Sequence, residues 1–265
     1  MRTALIGYSG FVGSNLRSQY AFDDLYNTSN IADIRGQEYD LVVSAGNRAD
    51  SFRINNNPDE DLADIDGLIE HVSAARIAKL ALVSTVCVYP AGGAPNELTP
   101  LSDEGLTPYG RNRLHQERVL SSRFSTLVLR LPQLLGDGLR KGIVYDLANN
   151  YRVEHIRPGG EFQYYDVREL WAHLEAARAA DLSAFNLATP PLTSDVVARE
   201  CFGIDISGQV PAEPESPFSA MYTRNMTTVH SDVVGGDGPY LYSADDELER
   251  IRAFARSLGS SQPAH

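Results

Sequence analysis

Two short stretches of the sequence carry side chains suited to moving a proton. In Ser84-Thr85-Val86-Cys87-Val88-Tyr89-Pro90, a strand would put Thr85, Cys87 and Tyr89 on one face, because strand side chains alternate with period two. In Pro108-Tyr109-Gly110-Arg111-Asn112-Arg113, a helix sets Tyr109 and Arg113 one turn apart on the same face. A phenol beside a cation is a natural proton donor, since positive charge draws its pKa down toward working pH.

A third stretch is suited to holding an anion. Gly7-Tyr8-Ser9-Gly10-Phe11-Val12-Gly13 lies between a short apolar run, Thr3 to Gly7, and a helical segment, Phe11 to Tyr20. Glycines serve three purposes in such a turn: a tight bend, close backbone approach to a pyrophosphate, and tight packing of helix on strand. A pyrophosphate would sit at the helix N-terminus, where free N–H groups and the helix dipole favour negative charge. The strand–turn–helix context points to a Rossmann-type unit binding NAD(H) or NADP(H). The competing reading is a merely tight turn. The acid that commonly holds the ribose 2′-hydroxyl is missing after the second strand, where the chain reads Leu25-Tyr26-Asn27-Thr28-Ser29-Asn30. The neutral groups of Asn27, Ser29 and Asn30 tolerate a 2′-phosphate and tip the balance toward NADP(H). No nearby arginine settles it, and the choice stays open.

The elements that must position these residues alternate. Strands are expected at Thr3 to Gly7, Asp23 to Asn27, Asp40 to Gly46, Lys79 to Tyr89 and Ser125 to Leu131. Helices are expected at Phe11 to Tyr20, Asp59 to Ala78 and Thr107 to Ser121. That alternation predicts an α/β fold, a doubly wound parallel sheet of Rossmann type. Beyond Gly136 the pattern loosens: a helix over Gly142 to Asn149, a strand over Glu161 to Asp166, a helix over Val167 to Ala180, and a strand over Ala184 to Ala188. A helix begins near Thr193-Ser194-Asp195, a loop covers Pro211 to Pro217, and a last helix spans Asp245 to Leu258. The whole reads as one domain, with residues 1–135 mainly cofactor-binding, 136–258 mainly a small substrate lobe, and 259–265 a disordered tail.

Bulk properties narrow the partners. The net charge is −12, which disfavours nucleic acid and anionic membrane surfaces but leaves room for a local phosphate site. Cys87 and Cys201 are isolated from each other, so neither a zinc site nor a dithiol motif is expected, and no metal. The apolar run at the N-terminus is too short for a signal peptide and no stretch reaches membrane-spanning length, so the expected compartment is the cytoplasm.

Taken in order, these motifs resemble the extended short-chain dehydrogenases/reductases of the NAD-dependent sugar epimerase/dehydratase type, over roughly residues 1 to 205. The resemblance rests on G-x-x-G-x-x-G at Gly7 to Gly13, Asp33-Ile34, the Ala45-Gly46 strand end, the Ser/Thr strand and the P-Y-G-R segment. It continues through R-L-P-x-L-L-G at Arg130 to Gly136, Phe162-Gln163-Tyr164-Tyr165-Asp166-Val167 and Phe185-Asn186-Leu187-Ala188. By that resemblance, cofactor contacts fall on Gly7, Ser9, Gly10, Phe11, Val12, Gly13, Asn27, Ser29, Asp33, Ile34, Ala45, Gly46, Tyr109, Arg113 and Pro132. It makes Thr85 the partner of the substrate oxygen, Tyr109 the general acid/base, Asp33-Ile34 the adenine side and Pro132 a flank of the nicotinamide. A homodimer, paired through helices that include the one carrying Tyr109, is implied as well. One departure stands out: the family's Y-x-x-x-K reads Tyr109-x-x-x-Arg113, which keeps the charge but not the shape.

Within the family, sugar 4,6-dehydratases carry Asp-Glu right after the catalytic threonine; here Val86-Cys87 stand there, which argues against dehydration. The Cys87 to Pro90 run is similar to that of GDP-fucose synthase-type epimerase/reductases, where a cysteine works with a histidine, but no histidine stands near Lys141-Gly142. Cys87 is therefore either a proton-abstracting thiolate or a small buried packing residue. Lys141, Arg157 and Arg224, with Arg140, are candidates for a substrate phosphate. His115 and His230 are expected to be structural or exposed, and Trp171, Tyr164 and Tyr165 packing residues. The expected function is an NAD(P)-dependent epimerase or ketoreductase acting on a sugar or nucleotide-sugar. The alternatives are a catalytically degraded dinucleotide-binding sensor or partner protein, and a reductase of a non-sugar carbonyl.

Overall fold

The computed structural model describes residues 1–210 and 225–260. In chain order the elements are β1 (Thr3–Ile6), α1 (Phe11–Gln19), β2 (Asp24–Tyr26), β3 (Glu38–Ser44), α2 (Ser51–Asn56), α3 (Pro58–Ser73), β4 (Arg76–Thr85), α4 (Pro108–Arg123) and β5 (Thr126–Leu131). They continue as β6 (Gln133–Leu135), α5 (Ile143–Ala148), β7 (Glu161–Phe162), β8 (Tyr164–Asp166), α6 (Leu170–Ala179), β9 (Ala184–Asn186), β10 (Leu192–Thr193), α7 (Ser194–Val197) and α8 (Ala244–Ser260).

The chain forms two compact units. Met1–Pro90, Glu97–Leu131 and Arg168–Asn186 make the first, and Ala91–Asn96, Pro132–Val167 and the chain from Leu187 onward make the second. The first unit holds a six-stranded sheet of order β2-β1-β3-β4-β5-β9, with every pairing parallel. Parallel strands need crossovers, and helices on both faces supply them. Ile65, Ile69 and Val72 of α3 and Leu120 of α4 pack on Ala4, Ile6, Val42, Leu80 and Leu82, the alternate residues of β1, β3 and β4. On the opposite face α1 lies against β1 and α6 against β5, and Tyr20 stacks on Trp171 with ring centroids 3.9 Å apart. The order reverses between β1 and β3, so the crevice of this α/β sheet opens where Gly7 and Ala45 follow those two strands.

The interior of the first unit also holds a polar core. Arg130 on β5 and Glu117 on α4, 4% and 3% exposed, close on each other with Nη2 to Oε2 at 2.8 Å. Ser84 donates to Glu117 at 2.5 Å, Arg130 donates to the Tyr89 hydroxyl at 2.7 Å, and the Asn186 amide donates to that hydroxyl at 3.1 Å. Three adjacent strands and a helix are thus tied by side chains as well as by the ladder. In the second unit β6 pairs with β8 and β7 with β10, and Glu247 of α8 accepts the Tyr164 backbone N–H at 3.0 Å. Burial holds that carboxyl well above the usual carboxylate range.

Several boundaries differ from expectation. The helix begun at Asp59 ends at Ser73, not Ala78, because Arg76 already pairs with Glu38 in the sheet. The strand expected through Tyr89 stops at Thr85, and Val86–Val88 form a 3₁₀ turn. The strand expected over Glu161 to Asp166 is two strands in different sheets, broken at Gln163, whose amide hydrogen-bonds Thr189 and Met226 backbone groups. The helix expected from Val167 starts as a 3₁₀ turn, and the Ala184 strand ends at Asn186. The short elements α2, β6 and β10 had no periodic signal. Helix α8 reaches Ser260, inside the segment read as a tail. The loop read at Pro211 to Pro217 and residues 261–265 lie outside the described residues.

Removing one partner of a buried ion pair strands the other's charge. Arg130→Met should therefore lower stability by about 3–5 kcal/mol in chemical denaturation, whereas Arg130→Met with Glu117→Leu should recover most of that loss.

Candidate active site

The C-terminal edge of the sheet gathers two groups of expected site residues. The first is the glycine turn. Gly7 has φ +85°, and a Cβ there would stand 2.5 Å from the Ala45 carbonyl oxygen. A Cβ on Gly13 would stand 2.0 Å from the Gly7 oxygen. These two positions are glycine for the fold's own sake. Gly10 differs: its backbone is extended (φ −79°, ψ 172°), and the nearest atom to an added Cβ is 3.3 Å away. Gly10 also N-caps α1 without a side-chain hydrogen bond, and the first turn, Phe11-Val12-Gly13, holds no acid. The helix therefore begins with N–H groups that no side chain caps and no local negative charge.

Register brings the neighbours alongside. Ile6 pairs with Tyr26 and with Ser44, so Asn27 and Ala45 flank Gly7 on its two sides, and Gly46 follows. Asn27 to Asn30 form a self-bonded turn: the Asn27 side-chain oxygen accepts from the Ser29 N–H and hydroxyl at 2.9 and 2.7 Å, and Asn30 accepts from the Asn27 N–H at 2.8 Å. Ser9 is exposed. Asp33 is exposed at a 3₁₀ turn (Ile31–Ile34), while the Ile34 side chain is buried in the core.

The second group surrounds Tyr109. Helix α4 starts with Thr107 capping the Gly110 N–H at 3.3 Å and Pro108 at the first position. The Asn55 side chain of α2 accepts from the Tyr109 N–H at 3.0 Å. A Cβ on Gly110 would fall 2.1 Å from the Cys87 carbonyl oxygen, so glycine alone allows α4 to approach the turn that follows β4. That approach brings the Tyr109 phenol, 9% exposed, close to Thr85, Arg113 and Cys87. The Thr85 hydroxyl also accepts from the Cys87 N–H at 3.2 Å. The 3₁₀ turn breaks the alternation expected for Thr85, Cys87 and Tyr89; Tyr89 turns into the buried network with Arg130 instead.

Arg113 has partners that sequence reasoning missed. Its terminal nitrogens donate to both oxygens of Asp61 at 2.8 and 3.0 Å and to the Arg48 carbonyl at 2.6 Å, and its Cζ lies 4.6 Å from the Tyr109 ring centroid. Arg113 and Asp61 are 2% and 5% exposed. Asn112 donates to Asp61 as well, at 2.9 Å. A signal for Asp61 was present: it stands four residues before Ile65 and eight before Ile69, on the stripe that faces the sheet. Burial raises the Tyr109 phenol above its ordinary value, and Arg113 and Thr85 pull it down only in part. The expected lowering by Arg113 is present but outweighed by desolvation.

Pro132 follows β5 and opens the first long segment of the second unit. Lys141 is exposed and Arg157 half-buried there, and Arg224 lies outside the described residues. Tyr164 and Tyr165 are buried.

No protein-family model and no curated protein matches the sequence. Solved structures do match its fold along nearly its whole length. A human epimerase family protein solved with NADPH aligns with TM-score 0.75 at 15% identity, covering 97% of this chain and 99% of its own. A UDP-galactose 4-epimerase aligns with TM-score 0.73 at 15% identity, covering 99% and 100%. MoeE5 in complex with UDP-glucose and NAD aligns with TM-score 0.70 at 15% identity, covering 97% and 99%. The chain shares the fold of these structures.

Overpacking at the contact that seats Tyr109 should be measurable. Gly110→Ala is expected to destabilise the protein by about 1–3 kcal/mol or more and to move Tyr109 off Thr85, read as a lower thermal midpoint and altered tyrosine fluorescence.

Proposed function

We propose that this chain is an NAD(P)-dependent oxidoreductase or epimerase acting on a sugar or nucleotide-sugar carbonyl. The observation that carries the reading is the buried Tyr109 phenol, close to Thr85 and with the Arg113 guanidinium 4.6 Å from its ring centroid, on the same sheet edge as the glycine turn. The turn fits a dinucleotide: an exposed Gly10, no side-chain cap on α1, and the sheet's reversal point beneath it. Gly7, Gly10, Phe11, Val12 and Gly13 would hold the pyrophosphate, Asn27 and Ser29 would face the adenosine ribose, and the bound nicotinamide would supply or accept a hydride. Thr85 orients the substrate oxygen, and Tyr109 gives that oxygen its proton or takes it back. Two of the similar structures were solved with NADPH and with NAD, and one of them with UDP-glucose, which supports the cofactor class and the substrate class. Absence of an acid after β2 keeps the balance toward NADP(H). Lys141 and Arg157 are the described candidates for a substrate phosphate.

A second reading has one observation in its favour. Arg113 has two of its nitrogens committed to Asp61 and the Arg48 carbonyl rather than to a ribose, as a sensor that binds a dinucleotide without turning it over would allow.

Calorimetric titration with NADH and NADPH tests the cofactor. Gly10→Val sets a Cβ a tight 3.3 Å from the Gly7 carbonyl oxygen, so its thermal midpoint is measured alongside; the folded variant should lose dinucleotide binding, and unaltered binding would reduce the turn to a structural device. Tyr109→Phe should keep cofactor affinity and lose turnover on keto-sugars by about 100-fold or more. Tight cofactor binding with no hydride exchange on any keto-sugar by the unaltered protein would favour the sensor.

A further inference from the structure

We propose that Tyr89 is a positioning residue: its hydroxyl ties down the points where the chain passes from the first unit into the second, and so steadies the segments that enter the second unit. The proposal rests on the reading that the second unit holds the substrate, and adds to it the residue that anchors those segments.

The chain changes unit between Pro90 and Ala91, Asn96 and Glu97, Leu131 and Pro132, Val167 and Arg168, and Asn186 and Leu187. Four of these five crossings are rooted in one hydrogen-bonded cluster of the first unit. Tyr89 precedes Pro90 at the first crossing, and its hydroxyl accepts from Arg130 at 2.7 Å and from the Asn186 side-chain amide at 3.1 Å. Arg130 precedes Leu131 at the third crossing, and Asn186 is the last residue before the fifth. Glu97, the first residue after the second crossing, accepts the Asn186 backbone N–H at 2.7 Å.

Main-chain pairing does not reach all of these points. The β4–β5 ladder ends with Thr85 opposite Leu131, and the β5–β9 ladder with Arg130 opposite Asn186. Tyr89 lies four residues past the end of β4, with its N–H turned back to the Val86 carbonyl at 3.1 Å, and Glu97 belongs to no strand. Side chains therefore hold the chain where the ladder has run out. The remaining crossing, at Val167 to Arg168, is held separately: just beyond it the Gln19 side chain on α1 accepts the Trp171 N–H at 2.9 Å.

Burial makes the hydroxyl matter. Tyr89, Arg130 and Asn186 are all buried, so water does not replace a lost partner and an unmade bond costs the desolvation of the group left behind. Without the hydroxyl, one Arg130 donor and the Asn186 amide lose a partner, while the Arg130–Glu117 pair that joins β5 to α4 stays closed. The loss then falls on the crossings more than on the sheet. Lys141 and Arg157, the candidates for a substrate phosphate, lie on the segment that leaves the cluster through Arg130 and Leu131.

Amide hydrogen exchange, resolved by NMR in the unliganded protein, reads the crossings through reporters in the second unit. The Thr227 N–H bonds the Pro95 carbonyl, the Gln133 N–H the Gln163 carbonyl, and the Leu241 N–H the Ala188 carbonyl. In Tyr89→Phe all three should exchange about tenfold faster or more, while the Ala45 and Trp171 amides of the first unit keep their rates. Glu97→Ala should speed Thr227 and Leu241 but not Gln133, and Glu97→Gln, which keeps an acceptor oxygen, should match the unaltered protein. If Tyr89→Phe folds poorly, the Glu97 pair decides. Unmoved reporters, or a uniform rise that includes Ala45 and Trp171, would overturn the proposal. Calorimetry extends the test to ligands: Tyr89→Phe should keep its NADPH Kd within about twofold and weaken UDP-glucose about tenfold. UDP-glucose affinity left unmoved, or weakened together with NADPH, would overturn the proposal as well. No UDP-glucose binding by the unaltered protein would instead count against the nucleotide-sugar reading and leave the exchange result standing.

Discussion

Around Gly7 three backbone segments come together with no room for a side chain. The carbonyl of Ala45 after β3 presses from one side, and the first turn of α1 presses from the other through Gly13. The Gly7 N–H donates to the Tyr26 carbonyl at 2.7 Å, which ties in the end of β2 as well. Without that close approach α1 could not lie down on the sheet, and β2 and β3 could not flank β1 at the point where the strand order reverses. The position of the crevice, the aim of the α1 N-terminus and the alignment of three strand ends follow from it. Sterics at one residue therefore fix where an anion can be held.

Helix α4 shows the complementary strategy, with precision bought by polar pairing rather than by lack of space. Tyr109, Arg113 and Glu117 recur every four residues along its buried side, joined by Asn112 and Gln116. Arg113 and Asn112 pair with Asp61 on α3, Glu117 with Arg130 on β5 and Gln116 with Asn47 after β3, while Tyr109 lies close to Thr85 at the end of β4. A hydrophobic stripe would hold the helix against the sheet but would let it slide and rotate more easily, since apolar contact is not directional. Paired polar groups specify a rotation and a height. Here that specification sets the phenol beside Thr85.

Much of this was legible beforehand. The strands β1, β3, β4 and β5 were readable because runs buried on both faces are continuously apolar. The glycine turn was readable because Gly7 and Gly13 answer to sterics that no other residue satisfies. Helix α4 was expected over Thr107 to Ser121, although its inward face carries Tyr109, Asn112, Arg113, Gln116 and Glu117 and gives little amphipathic signal. For the same reason Asp61 passed unnoticed among Asp59, Glu60 and Asp64, although its spacing from Ile65 marked it as inward. The strand boundary after Thr85 was missed because Val86-Cys87-Val88 has the composition of a strand. What turns the chain there is the Thr85 hydroxyl taking the Cys87 N–H, a bond that residue propensity does not encode. Short elements such as β6 and β10 exist only through long-range pairing and leave no local trace.

Gly10 stands apart from the two glycines beside it. Its φ suits any residue, and a Cβ there would meet one atom, the Gly7 carbonyl oxygen, at a tight 3.3 Å. An unfolded chain with glycine at that position has more conformations to lose than one with alanine, a standing cost of about 0.4–1 kcal/mol. A side chain there would recover that entropy only by crowding the Gly7 oxygen, and it would cover backbone at the head of α1 that is now exposed.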